Sequence, residues 1–258
     1  MRKADVPEVM IVETSDLWAA LAAGWRDFRR APLFGIAIAL CLIGGGWLLL
    51  WAVAARGQVW WILPAGAGFP LLAPFAAVAL YEVSRRLEAG ESLSWAGVWR
   101  AVLEQRSTQI PSMAAVLMVF FLFWNALAHM IFALFLGNAK MTDVSSSLGV
   151  LVSAQGLAML AFGTVLGAAI ATLLYAMSVV SLPMLMQREV DFVTASLTSI
   201  SVVRESPVVM LGWGALIGLM LFVSMLPGFA GLLVTLPVLG HASWHLYRRA
   251  IGWADEQA

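Results

Sequence analysis

The residues best equipped for chemistry in this chain are three histidines and one carboxylate. His241 and His245 stand four apart, a spacing that puts both imidazoles on one face of a helix and that can ligate a metal. No cysteine or carboxylate adjoins them in sequence, and Trp244 and Tyr247 make their surroundings aromatic. Hydrogen bonding near a membrane interface, or a headgroup or partner contact shared with Arg248, fits the pair better than a metal or haem. Glu82 is the sole carboxylate inside an apolar segment, and Arg85 and Arg86 follow it within one turn. The three read as an ion pair at a helix end, with a substrate or headgroup contact as the alternative. Asn125 and His129 share another helical face and form a possible polar site within the membrane. His129 and His241 would differ in depth by roughly 10 Å from the rise per residue, which argues against one haem iron between them. The serine run Ser145–Ser147 lacks histidine and acid partners in order, and there is no phosphate loop, dinucleotide fingerprint or metal motif. No catalytic, cofactor-binding or metal site is expected, and no cofactor.

The elements that position these groups follow from composition. The 258 residues are 62% hydrophobic and 12% charged, with a mean hydropathy of +0.89. Soluble domains average about 45–50% apolar and about 25% charged, so the bilayer is the natural solvent. The net charge of zero offers nothing to nucleic acid, and Cys41, the single cysteine, excludes an internal disulfide. Residues 1–31 carry Asp5, Glu8, Glu13, Asp16 and Asp27 and do not resemble a signal peptide. A span needs about 20 apolar helical residues. Six are predicted, over 32–55, 67–86, 110–136, 150–185, 207–226 and 229–248. The fourth is too long for one crossing, so its start, around Ser145 to Gln155, is expected at or beyond the outer interface. Pro64, Gly66, Gly68, Pro70 and Pro74 make the second settle as helix only after about Pro70.

Of the 15 Lys and Arg residues, only Arg56 and Lys140 fall on one side of this arrangement; the rest, from Arg2 to Arg249, fall on the other, which is therefore cytoplasmic. Tryptophans near both faces, Trp47, Trp51, Trp60 and Trp61 outside and Trp18, Trp25, Trp95, Trp99, Trp244 and Trp253 inside, suit an aromatic belt. A threefold pattern repeats over about 14–90, 91–189 and 190–250: an amphipathic segment, a proline (Pro32, Pro111, Pro207), a span, a loop, a return span and basic residues. The apolar faces are Leu17, Trp18, Leu21, Trp25 and Phe28, then Trp95, Trp99 and Val102, then Val193, Leu197, Ile200 and Val203. The fold class is therefore all-α, a polytopic membrane helix bundle of six transmembrane helices. They form three parallel hairpins, each preceded by a cytoplasmic interfacial amphipathic helix. Residues 1–13 and 251–258 are expected as tails around one membrane domain, 14–250. Gly163 with Gly167, and Gly214 with Gly218, could admit close helix approach.

The stretch Ser181-Leu-Pro-Met-Leu-Met-Gln-Arg188, the Ser206-Pro207 pair before Gly212-Trp-Gly214, and the run Pro237 to Tyr247 carry a resemblance. Gly24-Trp-Arg-Asp27, Pro32, Leu80-Tyr-Glu82 and Gly90-Glu91 add to it. Over about 15–250 the chain resembles a bacterial family of predicted integral membrane proteins, domain of unknown function 2189. The resemblance implies a six-span inner-membrane protein. Members sometimes carry a label as cytochrome oxidase components, but the catalytic oxidase subunit needs twice as many histidines as the three present here. It leaves open an accessory role in a respiratory or photosynthetic complex.

Three functional readings follow. The first is a non-catalytic inner-membrane protein that binds lipid or other membrane subunits as an accessory or assembly component. The second is a transporter or channel for an apolar or amphipathic molecule, motivated by the repeat and by Asn125, His129 and Gln155. The third is a membrane enzyme or haem protein in which Glu82, His241 and His245 converge at the cytoplasmic face.

Overall fold

The computed structural model describes residues 7–55, 73–104, 110–137 and 148–253. Ten α-helices appear among them: α1 (Thr14–Arg30), α2 (Pro32–Ala55), α3 (Ala73–Glu88), α4 (Trp95–Glu104), α5 (Ile110–Leu136), α6 (Ala154–Ser178), α7 (Ser181–Gln187), α8 (Phe192–Glu205), α9 (Pro207–Met225) and α10 (Leu232–Ala250). A 3-10 turn, Leu148–Val150, precedes α6, and two short strands, β1 (Glu8–Val9) and β2 (Ile251–Gly252), pair antiparallel. Pro64, Gly66, Gly68, Pro70, Trp60, Trp61, Arg56, Lys140 and Ser145–Ser147 lie outside the described residues.

Local chemistry sets the helix ends. Pro32 and Pro207 open α2 and α9, where a missing amide costs nothing. The Asp16 carboxylate accepts the Glu13 amide at 2.9 Å ahead of α1, and Asp191 caps α8 by accepting the Thr194 amide at 2.9 Å. Arg29 and Arg30 close α1, where cations complement the helix dipole.

Among the described residues, four helices are long and apolar enough to cross a membrane: Pro32–Ala52, Ala115–Leu136, Ala154–Gln187 and Pro207–Met225. The other two expected spans do not join them, for different reasons. α3 is described only from Ala73, and its last two turns carry Glu82, Arg85, Arg86 and Glu88. α10 reaches sufficient length, but its second half holds His241, Ser243, His245, Arg248 and Arg249. Protein covers it instead: the four apolar helices bury between 11% and 22% of their windows, whereas α10 buries most of its residues from Leu236 to Tyr247. The fourth expected span is also not one unbroken helix. It begins at Ala154, after the 3-10 turn, and a turn at Val179 and Val180 separates α6 from α7.

The chain divides into two compact units. The first comprises Met1–Ile43, Ala73–Ala115 and Tyr175–Ala258. Its centre is α10. A Cβ on Gly24 of α1 would lie 2.6 Å from the Ala242 nitrogen and the Val238 oxygen, so only glycine allows this approach of helix backbones. Gly240 of α10 receives the Leu80 side chain of α3, and Gly35 of α2 receives Pro237. Ile38, Ala79 and Leu80 form one apolar cluster, and Ala31, Val83 and Val98 another. At the α9–α10 turn, Thr235 donates to the Ser224 hydroxyl at 2.8 Å, and Phe229 takes a positive φ of 69°.

Parts of the expected tails are tied into this unit. Glu8 and Val9 pair with Gly252 and Ile251. The Met10 amide donates to the Ala250 carbonyl, and the Val12 amide to the Ser206 hydroxyl. Val12 is apolar and fully covered, which explains why this stretch leaves solvent.

The second unit comprises Gly44–Leu72 and Val116–Leu174. Ile131, Phe132 and Leu136 of α5 pack with Met159 of α6, and Val150 and Leu151 close the cluster. The Ser153 hydroxyl accepts the Gly156 amide at 3.1 Å and so caps α6.

The paired glycines do not serve as expected. Gly167 seats the Trp124 ring and Gly214 seats the Tyr175 ring, while Gly163 and Gly218 face open space. Aromatic rings occupy two of these positions, and the close approach of one helix backbone to another occurs at Gly24 instead.

Candidate functional site

The polar groups of the first unit gather where α1, α3 and α10 meet. α1 turns its small residues, Ala20, Ala23 and Gly24, toward α10, and Asp27 follows at helical spacing on that same face. The close contact at Gly24 therefore brings the Asp27 carboxylate to α10. Asp27 Oδ2 lies 2.7 Å from His245 Nε2 and accepts the Ser84 hydroxyl at 2.9 Å. Ser84 Oγ in turn lies 2.8 Å from His241 Nδ1. Ser84 gives its one proton to Asp27, so its lone pair accepts the Nδ1 proton of His241. This fixes the His241 tautomer and leaves Nε2 as a bare acceptor. That atom is fully buried, with no hydrogen-bond partner among the described residues.

Burial of Asp27 opposes its ionisation. The hydrogen bond and charge of His245, together with the Ser84 hydroxyl, outweigh that effect and hold the carboxyl below its ordinary range.

Two further carboxylates anchor their own networks. Glu82, almost wholly buried, receives Arg85 Nε at 2.8 Å and Arg86 Nε at 2.6 Å. Arg85 also reaches Glu91 at 3.0 Å, and Arg86 Nη2 donates to the Gly97 carbonyl. Arg85 lies beside Glu91 and holds its carboxyl below the usual range. Glu88 accepts Trp244 Nε1 at 2.9 Å and pairs with Arg248 at 3.3 Å. Tyr247 donates to Gln187 at 2.6 Å, and the Arg188 guanidinium sits 4.9 Å over the Trp253 ring.

Beside the Asp27–His245 pair a cavity of about 270 Å³ opens, lined by Arg26, Asp27, Arg30, Leu87, Glu88 and His245 among others. Among the described residues, no three His, Cys, Asp or Glu side chains gather as a metal ligand set.

The sequence-derived candidates divide accordingly. His241 and His245 share a network, but Glu82 is held by different partners, so the three do not converge on one point. Arg248 reaches Glu88. Asn125 belongs to the second unit and donates to the Phe121 carbonyl of its own helix at 2.8 Å. His129 follows one turn on and is half-buried. Trp244 and Trp253, expected in an aromatic belt, are buried core residues; the Glu88 carboxylate accepts the Trp244 indole N–H, and the Arg188 guanidinium covers the Trp253 ring.

Asp27, Ser84, Glu88, Arg26 and Arg30 were not expected at a site. The signal for Asp27 was present: Ala20, Ala23, Gly24 and Asp27 make one small-residue stripe.

Residues 62–187 match the family described as "Predicted integral membrane protein (DUF2189)". Over that stretch the chain is similar to this family. The match is narrower than the resemblance in sequence; it includes Ser84, Glu82 and Glu88 and leaves Asp27, His241 and His245 outside. No curated protein and no solved structure matches the chain.

Proposed function

We propose that this is a non-catalytic, multi-pass protein of a bacterial inner membrane that acts by binding lipid and other membrane subunits, as an accessory or assembly component. In this reading six helices cross the bilayer as three parallel hairpins, and both termini are cytoplasmic.

One observation carries the reading. Three helices, α1, α4 and α8, each bury one face against the protein and leave large apolar side chains uncovered on another. α1 buries Ala20, Ala23 and Gly24 and exposes Trp18 and Trp25. α4 buries Val98 and exposes Trp95 and Trp99; α8 buries Ala195, Ser196 and Ser199 and exposes Val193 and Leu197. Such faces lie in a membrane interface or against a partner helix. The ionisable groups of the first unit, meanwhile, are largely committed to one another.

Purification from native membranes in mild detergent, with mass spectrometry and a visible spectrum on one sample, tests the role. A stoichiometric membrane partner is the expected result. A haem band belonging to this chain would overturn it in favour of a haem protein. A solitary, colourless protein would move the weight to the transporter reading. That reading needs a polar cavity at mid-depth, and Asn125 bonding within its own helix gives it little support. Reporter fusions test the topology: a fluorescent protein at the C-terminus should glow, and a periplasm-dependent phosphatase inserted in 138–147 should be active.

A further inference from the structure

We infer that the cavity between α1, α3 and α10 binds a phosphate-bearing anion through Arg26 and Arg30. The inference rests on the binding role proposed above and names the ligand chemistry of one site within it.

The charges around the cavity do not balance. Its two carboxylates are already engaged, Asp27 by His245 and Ser84, and Glu88 by Trp244 and Arg248. Arg26 and Arg30 also line it, and neither has a hydrogen-bond or ion-pair partner among the described residues. They stand four apart on α1, so their stems rise side by side, about 5–6 Å apart at Cβ. Two guanidinium forks at that spacing match the several oxygens of a phosphoryl group, each able to accept paired N–H bonds. The volume, about 270 Å³, falls just below the roughly 300 Å³ at which pockets for drug-sized molecules begin. It suits a phosphate with a headgroup-sized substituent and is small for a nucleotide. Trp25 beside Arg26 is uncovered on the adjoining face, which places the cavity at the depth of lipid phosphates if α1 lies in the interface.

The test uses the full chain in phosphatidylcholine nanodiscs. In one arm, phosphatidylglycerol is titrated in and bound lipid is counted by native mass spectrometry. In the other, inorganic phosphate is added at millimolar concentration and thermal melting is followed. The variants are R26Q/R30Q and, with the same loss of charge, R29Q/R204Q, whose side chains are exposed away from the cavity. The wild type and R29Q/R204Q should retain phosphatidylglycerol, and R26Q/R30Q should lose at least about tenfold in affinity, the scale of one charge-assisted hydrogen bond. Stabilisation by phosphate alone, absent from R26Q/R30Q, would assign the site to a soluble phosphoester. Equal behaviour of the two double variants in both arms would overturn the inference. Should R26Q/R30Q fail to fold, R26Q and R30Q singly give the same comparison. Co-purification of a partner is read separately, so either proposal can fail without the other.

Discussion

Replacing Gly24 with alanine tests whether the α1–α10 contact holds the polar network together. The added Cβ would sit 2.6 Å from the Ala242 nitrogen and the Val238 oxygen and 2.9 Å from the Ala242 Cα. All three are backbone atoms of a buried helix, so they cannot swing aside as a side chain would. α1 must move, or α10 must bend. Overpacking of this kind costs about 1–3 kcal/mol. Alanine returns about 0.5–1 kcal/mol, because glycine is the poorer helix former. The net loss is about 1 kcal/mol at the middle of these ranges and about 2.5 kcal/mol at most; the backbone clash places it in the upper half, a fall in Tm of about 2–10 °C for a chain of this size. Gly212→Ala supplies the control, since a Cβ there meets nothing within 4 Å, and it should melt at or slightly above the parent. Thermal unfolding in detergent, followed by tryptophan fluorescence, reads both variants. A Gly24→Ala protein that melts at the parent temperature would refute the claim that glycine is needed where α1 crosses α10.

Asp27→Ala strips the acceptor from Ser84 and His245; each orphaned group costs about 1–3 kcal/mol, visible in the same melts. The Asp27 carboxyl is held below its unfolded value near 3.8, so its stabilisation is complete above that value and is lost as pH falls through the folded value. The melting temperature of the parent should therefore fall on acidification below about pH 4 more steeply than that of Asp27→Asn. Glu82→Gln weakens the charged bonds from Arg85 and Arg86 and should cost about 1.5–3 kcal/mol, measured against the parent by denaturant or heat. Replacing Trp95 and Trp99 with Glu puts charge on the uncovered face of α4 and should reduce the folded protein recovered from membranes. Undiminished recovery would contradict an interfacial position for that helix.

Much of the architecture was readable because period and proline position are strong signals. Pro32 and Pro207 each begin a helix, and Pro111 is the second residue of another. The uncovered tryptophans at 18, 25, 95 and 99 follow the amphipathic pattern. α10 was less legible. A run from Leu232 to Leu239 reads as lipid-facing by composition, yet protein covers Leu236, Pro237, Val238 and Leu239. Apolar character alone does not distinguish lipid from a packed neighbour. The site was hidden for a related reason. Asp27 and His245 are 218 residues apart, and neither sequence context hints at the other. What joins them is the absence of a side chain at Gly24, a feature that gains meaning only when Ala242 stands opposite.

The pairing of the chain's first helix with its last described one also dictates an order of biosynthesis. α1 leaves the ribosome well before its partner residues Val238, Ala242 and His245 are made. At about 5–20 residues per second, roughly 10–45 s separate Asp27 from His245 during synthesis. Throughout that interval Asp27 has neither α10 nor, at first, Ser84. In the proposed interfacial position of α1, its uncovered tryptophans, Trp18 and Trp25, would hold it on the membrane surface until then. Docking then becomes a final, post-insertional event, and the strand pair Glu8–Val9 with Ile251–Gly252 fastens it. A nascent chain cut short before α10 would leave Gly24 without the backbone it packs against and Asp27 without His245.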